Sequence, residues 1–187
     1  MLLIVAATEG ELLAAHSIEG VDTLVCGVGP VDAAANVARR LAERPSIVAV
    51  LHIGIAGCRR GSGHALGDMV VGDESVYCDT QSPLVTTSLQ PSRDMVRHIV
   101  TSCGYPQCAI GTSARVGGTT GCDIEAMEGF GVLRAASMAG IPAVEVRCVS
   151  NEIEEPDRSR WDFSGAIERL QQDIARIVAA LTGVEDS

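Results

Sequence analysis

The stretch Asp123–Gly131, D-I-E-A-M-E-G-F-G, carries two carboxylates three residues apart, Glu125 and Glu128. On a helix that spacing places both side chains on one face near the N-terminus. Acidic residues also favour a first helical turn for the dipole alone, and E-x-x-E is common. The neighbourhood adds to the pattern. Met127 and Gly129 flank Glu128, and one helix later R-C-V-S-N (Arg147–Asn151) ends a strand in polar residues. A carboxylate opposed to a polar strand end suits a sugar joined to a base. A further pair of acids, Glu9 and Glu11, follows the apolar run Leu2–Ala7. In open α/β sheets ligands collect at that carboxyl end of a strand.

The elements that must position these residues alternate. Leu2–Ala7 reads as a strand buried on both faces. Val21–Val28 is a second strand, and Pro30 opens a helix over Val31–Ala42. Ser46–Ile53 is a third strand running into Gly54–Gly57, G-I-A-G, where a tight turn is the simpler reading and close approach to a ligand the other. Leu66–Cys78 is extended with a bend at Gly72. Asp79–Pro91 is a loop, followed by a short helix to about Ser102, and Cys108–Val116 is extended. A helix over Ile124–Ala139 ends at Gly140. Ala143–Val149 is a strand, Glu152–Arg160 a charged loop, and Phe163–Leu181 an amphipathic helix with a core-facing stripe. This alternation predicts one domain over residues 1–187 with a three-layer α/β/α architecture.

Composition narrows the function. The 187 residues carry a net charge of -10, and the basic residues are all arginine. An acidic surface argues against nucleic acid or an anionic membrane as partner. Seven cysteines lie scattered without C-x-x-C or zinc-type spacing, so reduced structural thiols, a cytoplasmic location and no metal are expected. The short N-terminal apolar run lacks a basic lead and is not a signal peptide. Gly27-Val-Gly29 resembles a dinucleotide fingerprint, but Asp32 stands where its third glycine would be and would repel a pyrophosphate. No cofactor is expected.

Five fragments in order, A-T-E-G-E-L, C-G-V-G-P-V-D-A-A, H-I-G-I-A-G, M-E-G and R-C-V-S-N, resemble the purine nucleoside phosphorylase and nucleosidase superfamily. Within it, A-M-E-G-F-G joined to V-S-N and P-D-R-S-R-W-D looks most like the futalosine hydrolase group, which removes hypoxanthine from futalosine in menaquinone biosynthesis. The resemblance implies a mixed, partly barrel-like sheet and a homodimer or larger homo-oligomer. It also implies roles. Glu128 would bind the ribose hydroxyls beside Met127. Glu11 would position and activate the attacking water. Asn151 would face the N7 edge of the purine after Ser150, and the backbone at Ile55, Ala56 and Gly57 would approach the substrate.

Ribosyl–purine cleavage builds positive charge on the sugar, so a nearby carboxylate is worth more in the transition state than before it. Phosphorylases of the superfamily carry an arginine where His52 stands and a serine where Ile55 stands, so their absence implies hydrolysis. Adenine-specific nucleosidases carry an aspartate where Asn151 stands, and an amide suits a 6-oxopurine, although it can also pair with adenine. The segment between Gly117 and Asp123 is shorter than in the superfamily. Phe130 and Trp161 are nominees for stacking on the base, Arg147 for supporting a carboxylate, and Arg115, Arg158 and Arg160 for a charged 5′ substituent. Alternatives are an adenine-type methylthioadenosine/adenosylhomocysteine nucleosidase, a phosphorylase with another phosphate site, and a nucleoside-binding protein without turnover.

Overall fold

The computed structural model describes residues 1–119 and 121–183. Strand β1 (Leu2–Ala6) pairs in parallel with β2 (Val21–Val25) on one edge and β3 (Ala49–Cys58) on the other, and it is buried along its whole length because helices cover both of its faces. Downstream come β4 (Met69–Tyr77), β5 (Ser88–Leu89), β6 (Gln107–Thr112), β7 (Ile124–Ala126) and β8 (Ala143–Glu152). Helices α1 (Glu9–Leu12), α2 (Pro30–Glu43), α3 (Arg93–Cys103) and α4 (Gly129–Met138) lie between them, and α5 (Phe163–Thr182) follows β8.

The sheet is open at one end and closed at the other. β3 pairs with β8, β8 with β4, β4 with β6, β6 with β7 and β7 again with β3, so five strands form a ring. Alternation along the strands divides the core. Leu2, Ile4, Leu51, Ile53, Val144 and Val146 pack under α3 and α5. Leu3, Val5 and Val50 face α2 and α4 through Val37, Val132 and Ala136. Ile110, Ile124 and Val149 belong to a third apolar cluster within the ring strands. The result is the expected three layers with a mixed, partly barrel-like sheet.

Several boundaries differ from the sequence reading. Gly54–Gly57 is no turn: β3 continues through it, fully paired with β8. Glycine there serves packing, since a Cβ on Gly54 would fall 2.0 Å from Nη1 of Arg147. The helix expected from Ile124 starts only at Gly129, because Ile124–Ala126 is drawn into the ring between β6 and β3. Glu125 and Glu128 therefore do not share a helix face. β2 ends at Val25, where Gly27 and Gly29 take positive φ and lead the chain into α2. The loop after β4 contains the short edge strand β5. The short helix α1 was not expected, whereas α2 begins on Pro30 and α3 after Pro91, on a Ser92 cap, as the sequence reading placed them. Among the described residues no helix is long and apolar enough to cross a membrane.

Candidate active site

Glu11 follows β1 by only a few residues, and the local sequence fixes it. Oε2 accepts hydrogen bonds from the N–H and hydroxyl of Thr8 at 3.0 and 2.8 Å, the reach-back typical of a helix-start capping box. Oε1 accepts the N–H of Ile55 at 3.0 Å, which ties the end of β1 to β3. The residue is 5% exposed.

Glu128 sits at the junction of β7 and α4, as the residue preceding the helix. Its Oε1 accepts the N–H of Gly29 at 3.0 Å, and its Oε2 lies 3.6 Å from Nη2 of Arg147. Burial raises its carboxyl above the ordinary 4.5, a shift that Arg147 and the Gly29 N–H oppose and Glu11 reinforces. Gly27-Val-Gly29, rejected as a dinucleotide fingerprint, thus supports this carboxylate with its backbone.

The third component comes from an irregularity in β8. Ala56 pairs with Val149 but Gly57 pairs with Asn151, so Ser150 is an extra residue in the strand. Such bulges redirect side chains, and here both Ser150 and Asn151 reach the same space. The Asn151 Nδ2 donates to the Glu152 carbonyl at 3.1 Å, which fixes the amide orientation and leaves one N–H for a ligand. The Ser150 hydroxyl lies 2.9 Å from Asn151 Oδ1 and 3.1 Å from the Ala56 carbonyl.

These groups meet at one cavity of about 360 Å³, within the range of small-molecule sites. Its lining includes Glu11, Ile55, Ala56, Gly57, Met127, Glu128, Ser150 and Asn151, the eight residues to which the resemblance gives a part in catalysis or substrate contact. Thr8, Val28, Val116, Glu125, Phe163 and Ile167 also line it; of these, the sequence drew attention to Glu125 as the acid spaced three residues from Glu128. Glu125 is buried and anchors the segment before it: it accepts the N–H groups of Gly117 and Thr119 and the Thr119 hydroxyl at 2.6, 2.9 and 2.7 Å. Of the aromatic nominees Trp161 lines the cavity, whereas Phe130 stacks on Tyr77 at 5.3 Å and does not. The shortened segment includes residue 120, which lies outside the described residues.

Among the arginine nominees, Arg147 is wholly buried and engages Glu145 and Glu128. Arg158 lies over the Trp161 ring at 5.5 Å, Arg160 pairs with Glu155, and Arg115 is exposed. His52 is a buried strand residue whose ring accepts a hydrogen bond from the Arg147 guanidinium at 3.1 Å. Among the described residues no group of three or more His, Cys, Asp or Glu side chains could hold a metal ion.

The arrangement can present two carboxylates and an amide donor to one ligand. The model of the phosphorylase superfamily matches residues 113–182, the span carrying Glu128, Ser150 and Asn151. A futalosine hydrolase of Acidothermus cellulolyticus is 36% identical, over 85% of this chain and 75% of that protein. The futalosine hydrolase of Streptomyces coelicolor is 30% identical, over 87% and 80% respectively. A futalosine hydrolase structure from Helicobacter pylori superposes with a TM-score of 0.85 at 13% identity, covering 95% of this chain and 97% of the other. Sequence and fold thus agree, and the chain belongs to the futalosine hydrolase family of the phosphorylase superfamily.

Proposed function

We propose that this protein hydrolyses the N-ribosyl bond of a purine nucleoside, futalosine, releasing hypoxanthine. The observation that carries the reading is the convergence of Glu11, Glu128 and Asn151 on one cavity from three distant parts of the chain. Glu128 binds the ribose hydroxyls and stabilises the cationic sugar, with Met127 packed beside it. Glu11, held by three donors from Thr8 and Ile55, keeps one lone pair on Oε1 to orient a water and take its proton. The free N–H of Asn151 donates to the purine edge as the base departs. The backbone of Ile55, Ala56 and Gly57, together with Ser150, borders the base and sugar.

Water is favoured over phosphate because, among the described residues, no arginine lines the cavity. Arg147 is buried behind its carboxylates, and Ile55 offers an apolar side chain while its N–H is taken by Glu11. Asn151 also leaves a second reading open, since an amide can serve adenine as well. Chromatography of released bases from futalosine, inosine and methylthioadenosine, with and without phosphate, separates the readings. Hypoxanthine released at a phosphate-independent rate is expected. Release of adenine alone, or formation of ribose 1-phosphate, overturns the substrate or the reaction.

Val28 and Val116 line the cavity yet remain 57% and 40% exposed, which supports a homo-oligomer covering this rim. Light scattering giving a single-chain mass of 19.5 kDa contradicts that assembly.

A further inference from the structure

Residues 145 and 147 project to one face of β8, the face of Val50 and His52 on β3. That face carries a buried ionic group between apolar clusters. Arg147 donates Nε–H to Oε1 of Glu145 at 2.7 Å, and both side chains are 1% exposed. The other end of the guanidinium faces the cavity carboxylates. Nη2 lies 3.6 Å from Glu128, and a Cβ on Gly54 would meet both Nη1 of Arg147, at 2.0 Å, and Oε1 of Glu11, at 2.9 Å. Gly54 is thus the notch that lets the two charged groups crowd together. His52 abuts the same guanidinium; burial and Arg147 hold its pKa well below 6.5, so it is neutral.

The pairing is unbalanced. Three carboxylates, Glu11, Glu128 and Glu145, surround one guanidinium beside a neutral imidazole. Glu145 lines no part of the cavity, and its Oε2 is buried with no hydrogen-bond partner among the described residues. It fits against α4 only because Gly129 lacks a side chain: a Cβ there would lie 2.1 Å from that oxygen. Leaving a buried carboxylate oxygen unsatisfied opposes folding, and apolar residues could fill the space without that cost. An electrostatic task accounts for it.

We propose that Glu145 is a positioning residue: it holds Arg147 by Nε so that the Nη groups face Glu11 and Glu128, and it keeps the chamber negative enough to favour a ribosyl cation over the neutral nucleoside. This rests on the nucleosidase reading above. A unit charge removed at about 10 Å, across an effective dielectric of about 20, changes the affinity for a cation by roughly tenfold.

The test uses the full chain as wild type, Glu145→Gln and Glu145→Asp. Calorimetry measures two purine nucleoside analogues of one shape, one with a protonated iminoribitol ring and one with an uncharged ring, beside kcat and KM for futalosine. In Glu145→Gln, affinity for the cationic analogue and kcat should fall roughly tenfold or more, while the neutral analogue and KM change by less than about threefold. Glu145→Asp keeps the charge and should keep the wild-type ratio of the two affinities, even where its rate falls. An unchanged ratio in the Gln variant, or equal loss for both analogues, overturns the proposal. If the Gln variant does not fold, the Asp variant decides, and a fall in its ratio overturns the proposal. Absence of turnover in the wild type would sink the hydrolase reading while the affinity ratio stays readable, so the two fail separately.

Discussion

Glu11 and Glu128 line one cavity but are held differently, and the difference predicts different behaviour. Glu11 is fixed by three donors from Thr8 and Ile55, so Glu11→Gln keeps the shape and half of the anchorage but sets its NH2 against one set of these donors. Glu11→Gln is expected to lose about 10²- to 10⁴-fold in kcat while binding hypoxanthine nearly as wild type does. A wild-type rate in that variant removes Glu11 from the reaction. Glu128 is governed by burial, which raises its pKa above 4.5. If its ionised form clamps the ribose, activity falls as acid protonates it. The acid limb of kcat/KM should therefore lie above pH 4.5, and a limb at or below that value takes the Glu128 carboxylate out of the rate.

At the scale of elements, the cavity depends on how loops are tied to strand ends. The segment after β6 has little apolar surface and is anchored by Glu125 through Gly117 and Thr119. It carries Val116 into the cavity wall. Glu125→Ala leaves those donors without their acceptor, at a cost of about 1–3 kcal/mol. The expected outcome is a lower urea midpoint and a raised KM, with kcat affected less. Equal loss of kcat and an unchanged KM would assign Glu125 to the chemistry instead of the wall. The bulge at Ser150 belongs to this scale too: a regular β8 would send Ser150 and Asn151 to opposite faces.

At the scale of the molecule, the ring places a polar cluster within the sheet, and folding becomes coupled to pH through it. His52 is fully buried and neutral, with its pKa held well below 6.5 by burial and Arg147. In the unfolded chain it titrates near 6.5. Its contribution is thus fully present above that pH and is lost as pH falls toward the depressed native value. The slope approaches about 1.4 kcal/mol per pH unit. Urea unfolding at pH 7.5 and 5.0 should show this loss in wild type and a smaller one in His52→Gln. Equal losses in both proteins would mean that His52 does not govern the slope.

Much of this protein was legible in the chain before folding was considered. Apolar runs of strand length, the alternation of strands with amphipathic helices and the helix start at Pro30 are local properties, and they determined the layers; the eight cavity residues came from the resemblance that five motifs in order carry. What the tertiary structure decided is what depends on pairing between distant segments. Ile124–Ala126 became a strand because β3 and β6 offered it partners, against a helical reading of its own sequence. Gly54–Gly57 became strand because β8 lies alongside, and its glycines make room for Arg147 and Asn151. Glu145 carried no sequence signal, since an acid in a strand reads as solvent-facing until the ring closes over it. Local propensity acts over a few residues, whereas burial of a charge is set by whatever the whole fold brings around it.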